Sequence, residues 1–365
     1  MPRVFFIAPH RPGRSPSQRF RFEQFVPYWE ARGYAFTYGW SIDERDDRVL
    51  YRQGALAAKA KVYVNSWRRR SRLMDKLPGH DLIILQRETF MMPDIHFERK
   101  LAASGIPVIY DFDDALWIKH VSKGNRMLAW LKNPGKIDRL LPLADMVIAG
   151  NEFLADHARR YNPAVVTIPT VVDTSIYRPI APEKPANDPL VIGWTGSSTT
   201  IQYLELAIPA LRELKRKVPV PFRLRIISDV PLKVEGLDVE YRKWNKSSEV
   251  ADLQDIDIGI MPMERDDWNK GKCAFKGIQY MAVGRPTVME NFGAGPSVIR
   301  HGVDGLLASS KEEWVAHLAQ LLADADLRRR LGRAARTTIE ERFSVQAWQD
   351  RYVQIFQELI GKKHK

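Results

Sequence analysis

Short apolar runs alternate with helix-like stretches along this chain, and the alternation breaks once. Residues 4–8, 34–38, 81–86, 107–111, 145–150 and 165–168 read as strands. Helical patterns lie between them at 17–32, near 94–103, and after Asn151, a residue type that caps helix starts. From Pro169 to Pro189 the hydrophobic period disappears, and Pro179, Pro182 and Pro185 fall in the same stretch. The alternation then restarts with a strand at 190–194, a helix to about Lys217, strands at 222–228 and 256–261, a helix, and strands at 287–289 and 305–307. A helical pattern fills 311–360. Strand–helix alternation of this kind builds doubly wound, mainly parallel α/β sheets. A chain of 365 residues is long for one core. The expected organisation is therefore a domain over 1–170, a linker over 171–189, a second α/β domain over 190–344 and a terminal helix over 345–365. Two such halves imply a cleft between them, a common place for ligands.

Composition narrows the class. The content is 45% hydrophobic and 27% charged, ordinary for a globular protein. No apolar run approaches the roughly 20 residues that span a bilayer, and the first residues are too short a run for a signal sequence. The single cysteine, Cys273, excludes an internal disulfide framework and a cysteine-rich zinc site. Cytosolic residence is the expectation. The net charge of +12 is lopsided: residues 1–170 hold 27 Lys and Arg against 18 Asp and Glu (+9), and residues 171–365 hold 29 against 26 (+3). A basic front half suits acidic partners: a phosphate-bearing acceptor, an anionic membrane face or nucleic acid. Helix-turn-helix, zinc-finger and RRM signatures are missing, which argues against nucleic acid. The densest basic run, Trp67 to Arg72, reads either as a solvated helix end or as a membrane-surface contact with an interfacial tryptophan.

Four segments carry candidate chemistry. Residues 271–286 form a predicted helix between two strands, the geometry in which ligands bind beyond the strands' carboxyl ends. At about 100° per residue, Lys272, Lys276 and Gln279 share a face. Two ammonium groups at a helix start, with the positive dipole end, suit an anion such as a nucleoside diphosphate, whereas a solvated amphipathic helix is the plainer alternative. The segment Gly193-Trp194-Thr195-Gly196-Ser197-Ser198-Thr199-Thr200 is a small-residue turn between strand and helix, open to phosphate or sugar, though neither a Walker loop nor a full dinucleotide fingerprint. Asp111, Asp113 and Asp114 follow a strand beside Trp117 and His120, and such carboxylates bind a metal, activate a hydroxyl, contact a sugar or merely cap and solvate the strand end. The basic loop from His10 to Arg21 follows the first strand, and Arg19 and Arg21 suit a phosphate or carboxylate. The eight histidines show no metal-ligand spacing.

Taken in order, Tyr110-Asp111-Phe112-Asp113-Asp114, residues 150–154, 168–173, 191–197, 271–286 and 301–307 resemble the retaining glycosyltransferases of family 4, which have the GT-B fold. The resemblance implies two Rossmann-like doubly wound domains facing across a cleft. A nucleotide diphosphate sugar would be bound mainly by the second domain, and a glycan or lipid-linked acceptor would lie against the basic first domain. No metal or other cofactor would be needed. Lys272, Lys276, Asp113 and Asp114 would be the catalytic set. Gly196, Ser197, Gln279, Trp194 and Glu290 would face the donor, and Gly13, Arg19, Arg21 and His120 the acceptor. The implied setting is synthesis of bacterial surface polysaccharide or glycoconjugate, in the cytoplasm and peripherally at the inner membrane face. The chain departs from the family where two glutamates eight positions apart are usual, having Gly271 and Gln279. It also has Ser197 to Thr200 where an Arg and a Lys are common. A noncatalytic nucleotide-sugar or glycan binder of the same fold is the alternative.

Overall fold

A computed structural model describes residues 1–50, 56–90, 94–119, 133–180 and 189–363. The chain divides into two compact units, Met1–Thr170 with Trp348–Lys365, and Val171–Ala347. The proline-rich stretch expected as a linker is thus grouped with the second unit, its residues 181–188 lying outside those described.

The first unit is built on six parallel strands: β1 (Arg3–Ile7), β2 (Ala35–Gly39), β3 (Leu82–Gln86), β4 (Val108–Phe112), β5 (Met146–Ala149) and β6 (Val165–Thr167). Their order is β2-β1-β3-β4-β5-β6. Every residue of β3, β4 and β5 is buried. That is why these strands read as continuous apolar runs: a parallel sheet is covered on both faces. The second sheet holds β7 (Leu190–Thr195), β8 (Phe222–Ser228), β9 (Val239–Lys243), β10 (Ile258–Met261), β11 (Thr287–Glu290) and β12 (Leu306–Ala308), in the order β12-β11-β10-β7-β8-β9. Its core gathers Ile192, Trp194, Leu204, Leu211, Ile226, Ile260, Val288 and Leu318 between sheet and helices.

Each sheet reverses its strand order once, between β1 and β3 in the first unit and between β7 and β10 in the second. Loops at the carboxyl ends on either side of such a reversal leave in opposite directions, so a crevice opens there. The loop after β7 carries Gly196 and Ser197, and the loop after β10 carries Lys272. In the first unit the matching loops carry His10 and Arg87.

Local details depart from the sequence reading for identifiable reasons. The helix expected over 17–32 is broken into Pro16–Arg21, a 3-10 turn Glu23–Phe25 and Val26–Glu30. Pro27 has no N–H to continue a helix and instead starts a new one. Strand β9, Val-Glu-Tyr-Arg-Lys, lies at the sheet's edge and is mostly half-exposed, so it lacks the apolar signature of its neighbours. The long C-terminal pattern is three helices, Lys311–Ala323, Ala325–Arg342 and Val345–Lys363. Asp324 ends the first and caps the second, its carboxylate accepting from Leu327 N at 2.8 Å.

Aromatic packing ties the end of the chain to the first unit. Trp29, fully buried, meets Tyr352 at 5.1 Å and Phe356 at 5.1 Å between ring centroids, and Phe25 meets Tyr352 at 4.9 Å. Tyr34 adds an edge contact to Phe356 at 5.5 Å. Phe356→Ala leaves a cavity in this cluster and is expected to cost about 3–5 kcal/mol. Calorimetry should show melting of the first unit lowered by about 10 °C.

Candidate functional site

In the second unit the helix Phe275–Ala282 is locked to the end of β7. Tyr280 is buried on this helix, and its hydroxyl accepts from Thr195 N at 2.7 Å. Burial pushes that hydroxyl's pKa well up, with the bond to Thr195 opposing. The ring packs on β10: a Cβ on Gly259 would sit 2.5 Å from it, so only glycine fits. This fastening sets the helix's first turn over the crevice between β7 and β10.

That turn holds Lys276 alone: the helix expected over 271–286 is only Phe275–Ala282, and Lys272 lies in the loop three residues ahead of it rather than on a shared helix face. The Lys276 ammonium lies 5.7 Å from the Trp194 ring centroid, and the Lys272 ammonium 4.7 Å from that of Trp268. Burial, and then the nearby charge of Lys272, lower the Lys276 pKa from 10.5 to about 8. Among the described residues no carboxylate pairs with Lys276. The residue before the helix, Ala274, has φ 50° and ψ 28°, and no side chain caps the helix start. A non-glycine residue in the left-handed region costs about 1 kcal/mol or more, and such strain gathers at functional positions. Tyr203 stands by: burial raises its hydroxyl, while Asn269 and Lys272 pull the other way. Two cations held near each other at an uncapped helix start form an anion-binding arrangement.

The other donor-side residues are placed differently from expectation. Gly196 donates its N–H to Ile227 O at 3.0 Å, Ser197 N to Thr200 Oγ1 at 3.0 Å, and Ser198 N to Asp229 Oδ1 at 2.6 Å. The Ser197 hydroxyl bonds Thr199 at 2.8 Å. The small-residue turn therefore spends these amides on itself and on β8, which removes Gly196 and Ser197 as backbone phosphate donors. Gly196 is glycine because a Cβ would fall 2.1 Å from the Trp194 ring. Trp194 is buried and supports Lys276 from beneath rather than facing a ligand. Gln279 is also buried, donating to Glu249 Oε1 at 3.3 Å and Tyr177 Oη at 3.4 Å, so its amide does not reach outward to a ribose. Glu249 accepts as well from Trp244 Nε1 at 3.3 Å. Nothing in the sequence joined this carboxylate to Gln279, 30 residues further on. Glu290, ending β11, accepts from Arg265 Nε at 2.9 Å and Trp314 Nε1 at 3.2 Å. With Met263, Arg265, Ser309, Lys311 and Trp314 it lines a cavity of about 280 Å³.

In the first unit the carboxylates after β4 meet Arg87, which sequence reasoning missed. Arg87 follows β3, has φ 61°, and donates from Nε to Asp113 Oδ1 at 2.8 Å and from Nη2 to Asp114 Oδ2 at 2.5 Å. Ser17 Oγ donates to Asp113 Oδ2 at 2.6 Å, and Gln86 Nε2 to Ser17 Oγ at 3.0 Å. Burial would raise the Asp113 pKa, but Arg87, Arg21 and Ser17 outweigh it and hold the carboxyl below its usual range. For Asp111 burial prevails over Arg21, and its pKa is raised. Arg21 is withdrawn from any acceptor: it is buried, donating to Asp111 Oδ2 at 3.1 Å and Ile168 O at 2.6 Å. The N–H of Gly13 goes to Glu23 Oε2 at 2.7 Å, so it too is engaged within the fold. Arg19 is half-buried, 4.8 Å over the Phe20 ring. His120 lies outside the described residues. Among the described residues no group of three or more His, Cys, Asp or Glu is arranged to hold a metal ion, and no helix is long and apolar enough to cross a membrane.

His10 completes this cluster. Burial lowers its pKa from 6.5 to about 4; Asp47 opposes this, and Arg14, Arg87 and Arg11 reinforce it. The folded state keeps the imidazole neutral where the unfolded chain protonates it, so the unfolded state binds more protons between about 6.5 and 4. This stability is fully present above pH 6.5 and lost as pH falls through that window, up to about 3 kcal/mol. Melting temperature measured against pH should flatten across it in His10→Gln.

Residues 189–324 match the protein family described as Glycosyl transferases group 1. No curated protein matches the chain in sequence. Among solved structures, sucrose-phosphate synthase from Thermosynechococcus elongatus is similar at 14% identity and TM-score 0.76, over 99% of this chain and 100% of that one. A glycosyltransferase from Rickettsia africae gives 14% and 0.70, over 98% of both chains. The Anabaena protein HepE, in complex with UDP and glucose, gives 14% and 0.66, over 98% and 100%. The chain has the two-domain, Rossmann-like GT-B fold, and the segment that holds the lysine pair lies within the stretch that matches the glycosyl transferases group 1 model.

Proposed function

We propose that this chain is a retaining, family 4 glycosyltransferase. It moves a hexose-type sugar from a nucleoside diphosphate sugar to a glycan or lipid-linked acceptor, in bacterial surface polysaccharide or glycoconjugate synthesis. One observation carries the reading: Lys276, without a carboxylate partner among the described residues, beside Lys272 at the start of Phe275–Ala282. As the bond from the sugar to the diphosphate breaks, negative charge grows on the leaving oxygens, and preorganised cations there stabilise the transition state more than the ground state. Two ammonium groups supply that charge without a metal in the chemistry. The family match over 189–324 spans this helix, and HepE's complex makes a uridine nucleotide the first donor to test. Asp113 and Asp114, oriented by Arg87, are the acceptor-side carboxylates of the reading. The proposed enzyme is cytoplasmic, working with a glycan or lipid-linked acceptor and peripherally at an anionic inner membrane face.

A second reading draws on Gly271 and on the internal engagement of Gln279: a nucleotide-sugar binder of the same fold without turnover. Calorimetry with UDP-, GDP-, ADP- and dTDP-sugars, followed by assay for released sugar, separates the two. Binding with release supports transfer, and binding without release supports the second reading.

Lys276 makes the site's pH dependence specific. A bound diphosphate favours the ammonium form, so above pH 8 binding takes up a proton and affinity falls as pH rises. Calorimetry in buffers of different ionisation enthalpy reads the proton directly, and Lys276→Arg should keep its affinity at alkaline pH. Lys276→Ala should lower kcat by about 10²–10³-fold or more with the fold intact. Near-normal turnover would remove its diphosphate role.

A further inference from the structure

The helix Leu56–Met74 in the first unit contains Lys59, Lys61, Arg68, Arg69, Arg70 and Arg72 and no Asp or Glu. The fold uses three of these cations. Lys59 and Arg70 are buried, and Arg70 donates to Gly39 O at 3.1 Å and Ala8 O at 3.0 Å. Arg69 pairs with Asp43 and Asp46. Lys61, Arg68 and Arg72 are exposed, and among the described residues no carboxylate pairs with them. At about 100° per residue these three fall within roughly 40° of one another on the helix surface.

Two large apolar side chains lie to one side of that row: Val64, roughly 60° round the helix from Lys61 and 50% exposed, and Trp67, roughly 120° round at the edge of the exposed face and 38% exposed. The Trp67 ring is held in place rather than loose. It packs 4.6 Å from Phe97 and 5.6 Å from Phe90 and stacks on His96 at 5.5 Å. A merely solvated helix face mixes acids with bases, as Ala325–Arg342 does with Asp326, Glu340 and Glu341. Here a row of cations runs beside an exposed valine and a rigidly presented tryptophan. Such a face lies in a bilayer interface, its apolar edge at the headgroup boundary and its cations against anionic lipid.

We infer that the exposed face of Leu56–Met74 docks on an anionic lipid bilayer surface through Lys61, Arg68 and Arg72, with Val64 and Trp67 entering the interface. The proposed lipid-linked acceptor would give this docking a purpose, but the surface is argued independently of the lysine pair in the other unit.

The test is sedimentation of the full chain with vesicles of phosphatidylcholine, and with the same vesicles containing phosphatidylglycerol, at low and physiological salt. The wild type should partition onto the anionic vesicles alone and less so as salt rises. A chain carrying Lys61→Gln, Arg68→Gln and Arg72→Gln should lose about a hundred-fold in partition, and Val64→Asp should weaken it further. Melting temperature and nucleoside diphosphate binding should stay unchanged, because these side chains serve neither. Equal partition of the triple variant and wild type overturns the proposal, as does equal binding to neutral vesicles. Displacement of the vesicles by duplex nucleic acid through the same three residues overturns it in favour of that partner. Vesicle binding without any nucleotide binding would defeat the glycosyltransferase reading and leave this surface standing.

Discussion

Everything in the second unit depends on where a parallel sheet reverses its strand order. Between β7 and β10 the connecting loops part, and backbone and side chains from positions far apart in sequence can meet beyond the strand ends. A reversal alone leaves a gap of no particular shape. The Tyr280 hydroxyl on Thr195 N and its ring on Gly259 hold one helix across that gap. The first turn of the helix, with the Lys276 ammonium on it and Lys272 in the loop just ahead, inherits its position from that fastening.

The two units treat positive charge in opposite ways. In the first, the cations near the strand ends are matched: Arg87 by Asp113 and Asp114, Arg21 by Asp111, Arg14 by Asp47. In the second, Lys276 meets another cation and no carboxylate among the described residues, and its lowered pKa is the electrostatic cost of that placement. A charge held against both burial and a like neighbour is stabilised when an anion arrives. The left-handed backbone follows the same geography. Among the described residues only Arg87 and Ala274 are non-glycine with positive φ, one at each candidate site.

Much of this was legible from residue order. Continuous apolar runs marked the central strands because parallel sheets are covered on both faces, whereas edge strand β9 escaped because its side chains are largely charged. Lys276 could be placed on a helix from the period of its apolar neighbours, whereas Lys272, expected on the same helix face, lies in the loop ahead of it. The serine- and threonine-rich turn after β7 was misjudged, because its hydroxyls satisfy its own amides and a sequence does not say which partner a hydroxyl takes. Arg21 looked like a solvent-facing hand for an acceptor. Its pairing with Asp111, 90 residues away, could not be read from either segment. Arg87 carried no local signal at all.

The sequence by itself determined the number of sheets, their parallel sense and the helix that carries Lys276, because those follow from periodicity and from backbone geometry along the chain. Only the tertiary structure decided which charges are cancelled and which persist. Burial and pairing depend on distances between segments far apart in sequence, and a change of a few ångströms turns a neutralised arginine into an anion site or a lysine into a solvated ornament.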